Sequence, residues 1–491
     1  MAISDAEDLN ATNKKGVSYS NPLQDENEYS FLNNCFNGSG GFFDNSYIFP
    51  HVREEEYRYY RRKVQAYYLN LFKPLVNANT LPLFKIEPAR TYTENNQAKT
   101  MIQMFLDDCD LKGNSLNTFM KHSLQRGHID GVAYILVDNF SEVPKDVKST
   151  LENRAIPYLT IIKAGNLVDF ELDDHGRLIS FTYFHSFRKD ENGETDFNDP
   201  IHKRITNYYF VDVEITKVLE TNLKDGVRPD VREIEETRVE NKIGVIPIVP
   251  INTVDVYKFL PYSNFYNIGR MGYRLFNLIS EQQEQESNTM YPILAKPSDG
   301  SPNRLVTGTG NGLTYDKDAS PPSYISPDVA PIQVLQSSEK LLIEKMFVSA
   351  NMTFMTDSSN VSAEAKKWAF ERTSTALNEF SLMMEDAEKK IFALFDMYLN
   401  IDSEFQVKYN RKFGILDVEQ ELAQVIELLS IENLGEKGKA EIVKDFIDNY
   451  FSFSSNEFIE ALKDSIDDAV IVARNITNDS DIDEENEELE G

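Results

Sequence analysis

Basic residues are scarce in this chain. Only 50 Lys and Arg stand against 80 Asp and Glu, a formal net charge of −30 over 491 residues. A surface of that sign repels phosphate, so a conventional nucleic-acid binder, which neutralises phosphates with Lys and Arg, is disfavoured. The chain either never meets DNA or lets it pass without gripping it. Cysteine is nearly absent: Cys35 and Cys109 belong to no Cys-x-x-Cys pair and no Cys/His cluster. That argues against a disulfide framework and a zinc site, and it fits a reducing cytoplasm. Histidine is equally thin. The six, at 51, 122, 128, 175, 185 and 202, form no HExxH or facial-triad pattern. His122 and His128 are the closest useful pair, but their spacing spans Gly127 and an expected helix end. Long apolar runs are missing too; residues 243–251 fall well short of the roughly 18 a membrane helix needs. The first residues, MAISDAEDLNATNKK, carry no apolar signal core, so the expectation is a soluble, intracellular protein with no membrane partner.

Catalytic signatures are lacking as well. There is no Gly-x-Ser-x-Gly element and no kinase signature. Gly308, Gly310 and Gly312 superficially suggest a phosphate loop, but no Lys-Ser or Lys-Thr pair follows and Leu313-Thr-Tyr315 continues as extended chain. A hairpin turn is the better reading, since a nucleotide loop needs a helix N-terminus behind it. The acid pairs Asp107-Asp108 and Asp173-Asp174 read as caps and turns rather than catalytic carboxylates. The expectation is a protein with no enzyme activity, no cofactor, and no catalytic or metal-binding residues.

What is present is a globular chain of 41% hydrophobic and 11% aromatic residues, long enough for two to four domains. Residues 1–50 are polar and rich in Asn, Ser and Gly, and read as an arm. Tyr57, Tyr60, Val64, Tyr67 and Leu71 recur at helical spacing and predict a helix over 54–73 that Pro74 ends. In its first half Arg53, Arg58, Arg61, Arg62 and Lys63 alternate with Tyr57, Tyr59 and Tyr60. Such a stretch can neutralise and stack nucleic acid. The stronger reading is structural: the tyrosines sit at core spacing, and Glu54, Glu55 and Glu56 supply partners for the arginines. Helices over 96–111 and 115–126, capped by Gly127, lead to a strand over 132–137. Strands follow at 158–163, 167–172, 178–187, 208–219 and 232–241, with a hairpin turn at 173–176. A strand over 244–252 carries two prolines and belongs at a sheet edge.

From 263 the chain turns helical, over 263–290 and again over 336–352, around a Pro- and Gly-dense insert at 292–331. A polar break at 356–360 precedes a long helix over 362–399 that Ser362 can cap, with Trp368, Phe380, Met384, Ala387, Ile391, Phe395 and Tyr398 on its buried face. A strand over 405–409 leads to helices near 417–430, 436–451 and 455–473. Residues 479–491 hold eight acids and no base, so disorder is expected there.

The order of these elements resembles the portal family of tailed bacteriophages. Ile243-Gly-Val-Ile-Pro-Ile-Val-Pro-Ile-Asn252 is similar to a strand that precedes the first stem helix in that family. Leu275-Phe-Asn-Leu-Ile-Ser-Glu-Gln-Gln-Glu284 and Met290-Tyr-Pro-Ile-Leu294 resemble that helix and its exit. Ser362-Ala-Glu-Ala-Lys-Lys-Trp-Ala-Phe370 looks like the start of the long helix behind the tunnel loop, and Phe413-Gly-Ile-Leu416 like the strand re-entering the wing. The resemblance implies an α+β fold of portal type: a mixed α/β wing, a two-helix stem, a loop-rich clip, a long central helix and a helical crown. It places an N-terminal arm at 1–50 and the first part of the wing at 51–258. The stem helices fall at 259–291 and 332–353, around a clip at 292–331. Tunnel loop, long helix and second wing part occupy 354–416, the crown 417–476 and an acidic tail 477–491. It also implies a homo-oligomeric ring, a dodecamer, at one capsid vertex of the virion, assembled in the host cytoplasm. Its expected partners are the major capsid protein, the terminase large subunit, a head-tail adaptor, and double-stranded DNA that passes through without sequence-specific binding. Met355, Asp357, Ser358, Asn360, Lys366 and Lys367 would lie at the DNA channel, and Arg304, Thr309, Asn311, Tyr315 and Lys317 in the clip at the adaptor and terminase contact. The alternatives are a non-portal virion structural or scaffold protein, or an uncharacterised hydrolase.

Overall fold

The computed structural model describes residues 27–52, 54–93, 95–139, 154–188, 201–222, 230–255, 257–290, 293–295, 323–325, 328–352, 363–411, 413, 425, 427–428, 435–450 and 461–466. The chain is an α+β protein in which antiparallel sheets pack between helices.

Residues 28–50, expected as part of an arm, are instead packed. Helix α1 (Glu28–Asn37) starts on Asn27, whose side chain accepts from the Tyr29 amide, and ends on Gly38 at φ 66°. Its Phe31, Leu32 and Cys35 are buried with Phe42, Tyr47 and Ile48. The polar composition misled because the asparagines are structural: Asn34 donates to the Tyr47 hydroxyl and accepts from Ser39. The helix expected over 54–73 is two. Helix α2 (Glu56–Gln65) stops at Ala66, which turns extended at ψ 139°, and α3 (Phe72–Thr80) follows. Pro74 lies in the first turn of α3 rather than ending a helix; a missing N–H costs nothing there. The expected buried face of α2 is also wrong. Tyr57, Tyr60, Val64 and Tyr67 are 70%, 66%, 64% and 52% exposed, while Arg62 is 2% exposed.

Three clusters of buried side chains organise the rest. The first joins α4 (Asn96–Asp107) and α5 (Leu116–Asp130) to one face of a three-stranded antiparallel sheet. In that sheet β2 (Val132–Asp138) runs between β3 (Tyr158–Lys163) and β9 (Ile248–Asn252). Strand β9 is an edge, as its prolines required, with Pro250 opposite Tyr134. Gly127 falls inside α5; the cap is Gly131 at φ 93°. A Cβ there would meet the Pro261 carbonyl at 2.7 Å and the Ser263 nitrogen at 2.9 Å. Odd positions Ala133, Ile135 and Val137 of β2 face this cluster, and Val132, Tyr134 and Leu136 face another, so the whole strand is apolar.

That other cluster lies under a five-stranded meander: β4 (Leu167–Leu172), β5 (Leu178–Arg188), β6 (Ile201–Phe210), β7 (Val213–Asn222) and β8 (Asp230–Glu240). Phe181, Tyr183 and Tyr209 supply its share of the cluster. The hairpin at 173–176 is present, with the Asp173 carboxylate accepting from the His175 and Arg177 amides. The single strand expected over 208–219 is β6 and β7, joined by a turn at Val211 and Asp212. No Asn-Gly or Asp-Gly marks it; Asn241 satisfies it from outside by donating to the Phe210 and Val211 carbonyls. The outer strand β8 is exposed and densely charged, a composition that discourages edge-to-edge pairing.

The third cluster gathers α1 and α3 around α6 (Phe265–Thr289) and α7 (Ala330–Ser349), with Phe72, Leu75, Phe276, Ile279 and Met346 at its centre. Helix α7 begins six residues before its expected start, with Pro331 in the first turn. Helix α8 (Ala363–Leu399) closes the first cluster with Met384, Ala387, Ile391 and Phe395, as its spacing predicts. Beyond it, β12 (Gln406–Lys408) pairs antiparallel with β1 (Ala89–Thr91). Helix α9 (Glu436–Tyr450) covers one of the three helices expected after 417.

Candidate functional site: a projecting helix pair and the long helix behind it

Helices α6 and α7 leave the third cluster side by side. The 25 residues of α6 reach roughly 37 Å and the 20 of α7 roughly 30 Å. A Cβ on Gly272, early in α6, would meet Met346 late in α7. At the far ends β10 (Ile293–Ala295) pairs antiparallel with β11 (Ser323–Ile325), so the insert leaves and re-enters at one place and the helices run antiparallel. The clip residues Arg304, Thr309, Asn311, Tyr315 and Lys317 lie between those strands in sequence and outside the described residues.

The base of α6 is held by polar contacts that its apolar spacing does not reveal. The Asn277 amide donates to the Tyr47 carbonyl at 3.1 Å and its oxygen accepts from the Phe49 amide at 2.8 Å. Nearly two turns on, Arg61 of α2 pairs with Glu284 at 2.8 Å and donates to Ser287. Arg62 forms a bidentate pair with Glu54 at 2.6 and 2.7 Å and donates to the Phe49 carbonyl at 2.7 Å. Burial pushes the Glu54 carboxyl up, but hydrogen bonds from Arg62 and the His51 amide, with the Arg62 charge, hold it below its ordinary value. Two of the five cations that could have served nucleic acid are therefore committed inside the fold. Glu54 is the partner the sequence suggests; Glu284 could not be found that way.

Away from this base both helices lose cover. On α7 only Met346 is buried, and Ala350 caps it. Val334, Leu341 and Val348, seven residues apart, form an exposed apolar row on the face opposite the buried one. Seven residues make nearly two turns, so the three side chains stack in a line. On the far side of the base, α2 presents Tyr57, Tyr60 and Val64, again opposite its buried side. Both rows leave apolar side chains open to water.

The long helix α8 is fixed by an ionic cluster that is buried except at Arg411. Arg90 of β1 pairs bidentately with Glu388 at 2.8 and 2.9 Å, and the Tyr409 hydroxyl donates to the same carboxylate. Glu385 accepts from the Tyr409 amide and pairs with Arg411 at 2.5 Å. Glu388 is fully buried, so this group ties strands to helix from inside the core. Lys366 and Lys367 belong to the first turns of α8. Their side chains, together with Met355, Asp357, Ser358 and Asn360, lie outside the described residues, as does the helix cap expected at Ser362.

Other reactive groups are turned inward. Burial pushes the Cys109 thiol well above its ordinary range. His128, expected beyond a helix end, lies within α5 among Phe265 and Phe380, and burial pushes it down to about 4. His122 faces a surface groove on the same helix. Among the described residues, no three His, Cys, Asp or Glu come together to hold a metal, and no helix is long and apolar enough to cross a membrane.

No protein-family model matches the chain, and no curated protein does. Among solved structures it is similar to a chain from the neck of an empty gene transfer agent particle computed with C6 symmetry, at 9% identity and a TM-score of 0.44, covering 86% of this chain and 94% of that one. A chain from the virion of a native gene transfer agent particle matches at 8% identity and a TM-score of 0.42, with the same coverage. One from the neck of a native particle computed with C12 symmetry matches at 8% and 0.41, over 75% and 88% of the two chains.

Proposed function

We propose that the chain is one subunit of a closed ring at a single capsid vertex, the portal of a tailed-phage-type virion, through which the genome is packaged and ejected. The observation that carries this reading is the antiparallel pair α6–α7, rooted at one end and joined at the other through an insert whose two strands meet. A wall-crossing ring needs such a unit from every subunit: two stiff helices to traverse, and a loop-rich tip to dock partners. In this reading α6 and α7 are the stem, residues 292–331 are the clip that meets the terminase and then the tail adaptor, and the sheets with α1–α5 form the wing. Residues 354–361 form the tunnel loop, Lys366 and Lys367 stand nearest the duplex, and the helices after 417 form the crown. The exposed rows on α7 and α2 support a heterologous contact between neighbours, which closes into a ring when the rotation permits. The net charge of −30 supports a channel that keeps DNA centred and mobile instead of gripping it. No enzyme activity and no cofactor belong to this role.

Native mass measurement with negative-stain microscopy tests the proposal. Rings with a central hole, twelve copies in the assembled vertex, are the expected result. A stable monomer at micromolar concentration under all salt conditions would refute it.

A further inference from the structure

One concave surface runs against the net charge of the chain. Between α5, β3 and the loop at 110–114 lies a groove of about 560 Å³, into which Lys112, Lys121, His122, Arg126 and Lys163 all project. Asp110 is the single acid on its wall, and its carboxylate is consumed locally by the Lys112 and Asn114 amides and the Asn114 side chain. Arg126 is buried and oriented by a bidentate pair with Asp130 at 2.8 and 2.9 Å and by Asn33 at 2.7 Å. Lys112, Lys121 and Lys163 make no ion pair among the described residues. The cations disturb one another. His122 is lowered by burial and then by the Arg126 and Lys163 charges, against a hydrogen bond to Gln125, and Lys163 by burial and then by Arg126, against the Asp130 charge. Between the charged heads the walls are apolar, supplied by Leu81, Phe119, Leu159 and Ile161.

A concentration of positive charge in a chain of net −30 calls for an anion, and the apolar walls call for one with hydrocarbon attached. The sequence contains such a segment. Residues 479–491 carry eight acids and no base, with Ile482 and Leu489 set among them. We propose that the groove is the docking site for residues 479–491 of this chain, their carboxylates meeting Lys112, Lys121 and Lys163 and an aliphatic side chain entering between Phe119 and Ile161. A tether raises the local concentration of such a segment to the millimolar range, so even weak ion pairs give substantial occupancy. Duplex DNA is the poorer fit: the groove has no exposed aromatic surface for bases, and a chain of net charge −30 would repel a long polyanion. The proposal does not depend on ring assembly.

The test uses the chain truncated after Asn478 and a labelled synthetic peptide of residues 479–491, followed by fluorescence anisotropy. The peptide should bind the truncated protein, lose at least tenfold in affinity between 50 and 500 mM salt, the direction expected for contacts built on charge (roughly the two ends of the screened range), and bind the intact chain at least tenfold more weakly, because the groove is filled. Lys121→Glu with Lys163→Glu should abolish binding; Lys121→Ala with Lys163→Ala, which adds no charge, should weaken it severalfold with an unchanged circular dichroism spectrum. Equal binding to the intact and truncated chains, or to the parent and the charge-reversed variant, overturns the proposal. So does a short DNA duplex that binds the groove more tightly than the peptide and is lost in the same variants.

Discussion

Replacing Glu54 with Ala leaves the Arg62 guanidinium almost fully buried with no counter-charge. Two charge-assisted hydrogen bonds, at 2.6 and 2.7 Å, disappear, and only the Phe49 carbonyl at 2.7 Å and a distant Ser280 hydroxyl remain. Breaking a buried ion pair from one side costs about 3–5 kcal/mol, because the desolvation of the survivor is no longer offset. Removing both partners is different. Glu54→Leu with Arg62→Met strands the buried Phe49 carbonyl, at a cost of about 1–3 kcal/mol, leaves the exposed His51 amide to water, and adds apolar contact to the α6 base. The double variant should therefore be more stable than Glu54→Ala by at least about 1 kcal/mol. The first transition in urea denaturation, read by tyrosine circular dichroism, measures both. The pH dependence adds a second sign. The Glu54 carboxyl is held below its ordinary value in the fold, so its contribution is present above the ordinary carboxylate range and is lost as pH falls through the folded value. The parent should lose stability on acidification that the double variant does not. A cost below about 1 kcal/mol for Glu54→Ala, or a double variant no better than the single, refutes the view that this pair fixes Arg62 inside the fold.

Gly131→Ala should destabilise by roughly 2 kcal/mol or more, because φ is 93° and the new methyl group meets backbone at 2.7 and 2.9 Å; thermal denaturation checks it. His128 is held neutral, down to about 4, so its contribution is complete above about 6.5 and lost as pH falls toward 4. Stability should drop over that window by up to about 1.4 kcal/mol per pH unit, and the slope should flatten in His128→Phe. Deleting residues 300–325 should leave the circular dichroism of the helical base intact while abolishing adaptor binding in a pull-down; surviving binding removes the clip assignment. Charge reversal at Lys366 and Lys367 should change DNA packaging or retention while rings still form in negative stain. Unchanged packaging would put those lysines away from the duplex.

Much of the fold was legible because one interaction dominated locally. The apolar spacing of α6 and α8, the double-sided run of β2 and the Asp173 turn each announce themselves over a few residues. What escaped was long-range. Arg61 and Glu284 meet across more than two hundred residues, and that pairing, with Arg62 on Glu54, rotates α2 so that arginine lies inside and tyrosine outside. The turn at Val211 and Asp212 escaped because Asn241, thirty residues away, supplies the bonds that a Gly-containing turn would supply itself. The packing of 28–50 is hidden for a similar reason: Asn34 donates to the Tyr47 hydroxyl and Asn33 accepts from Arg126, partners that only the folded chain brings near. The helix pair was visible in the sequence, but its anchors at Asn277 and Glu284 were not, since a polar residue on an apolar face looks like an interruption until its partner is known.

Strand β2 has a further consequence for how the molecule can yield. Alternate side chains of Val132–Asp138 are claimed by two different clusters, and both neighbouring strands are bonded along its length. A slip by one residue would swap the two sets and spoil both linings at once. The strand therefore acts as a shared wall rather than a hinge. Strain applied to the meander sheet on one side is delivered to α5 and α8 on the other, and the two regions should melt as a single cooperative block.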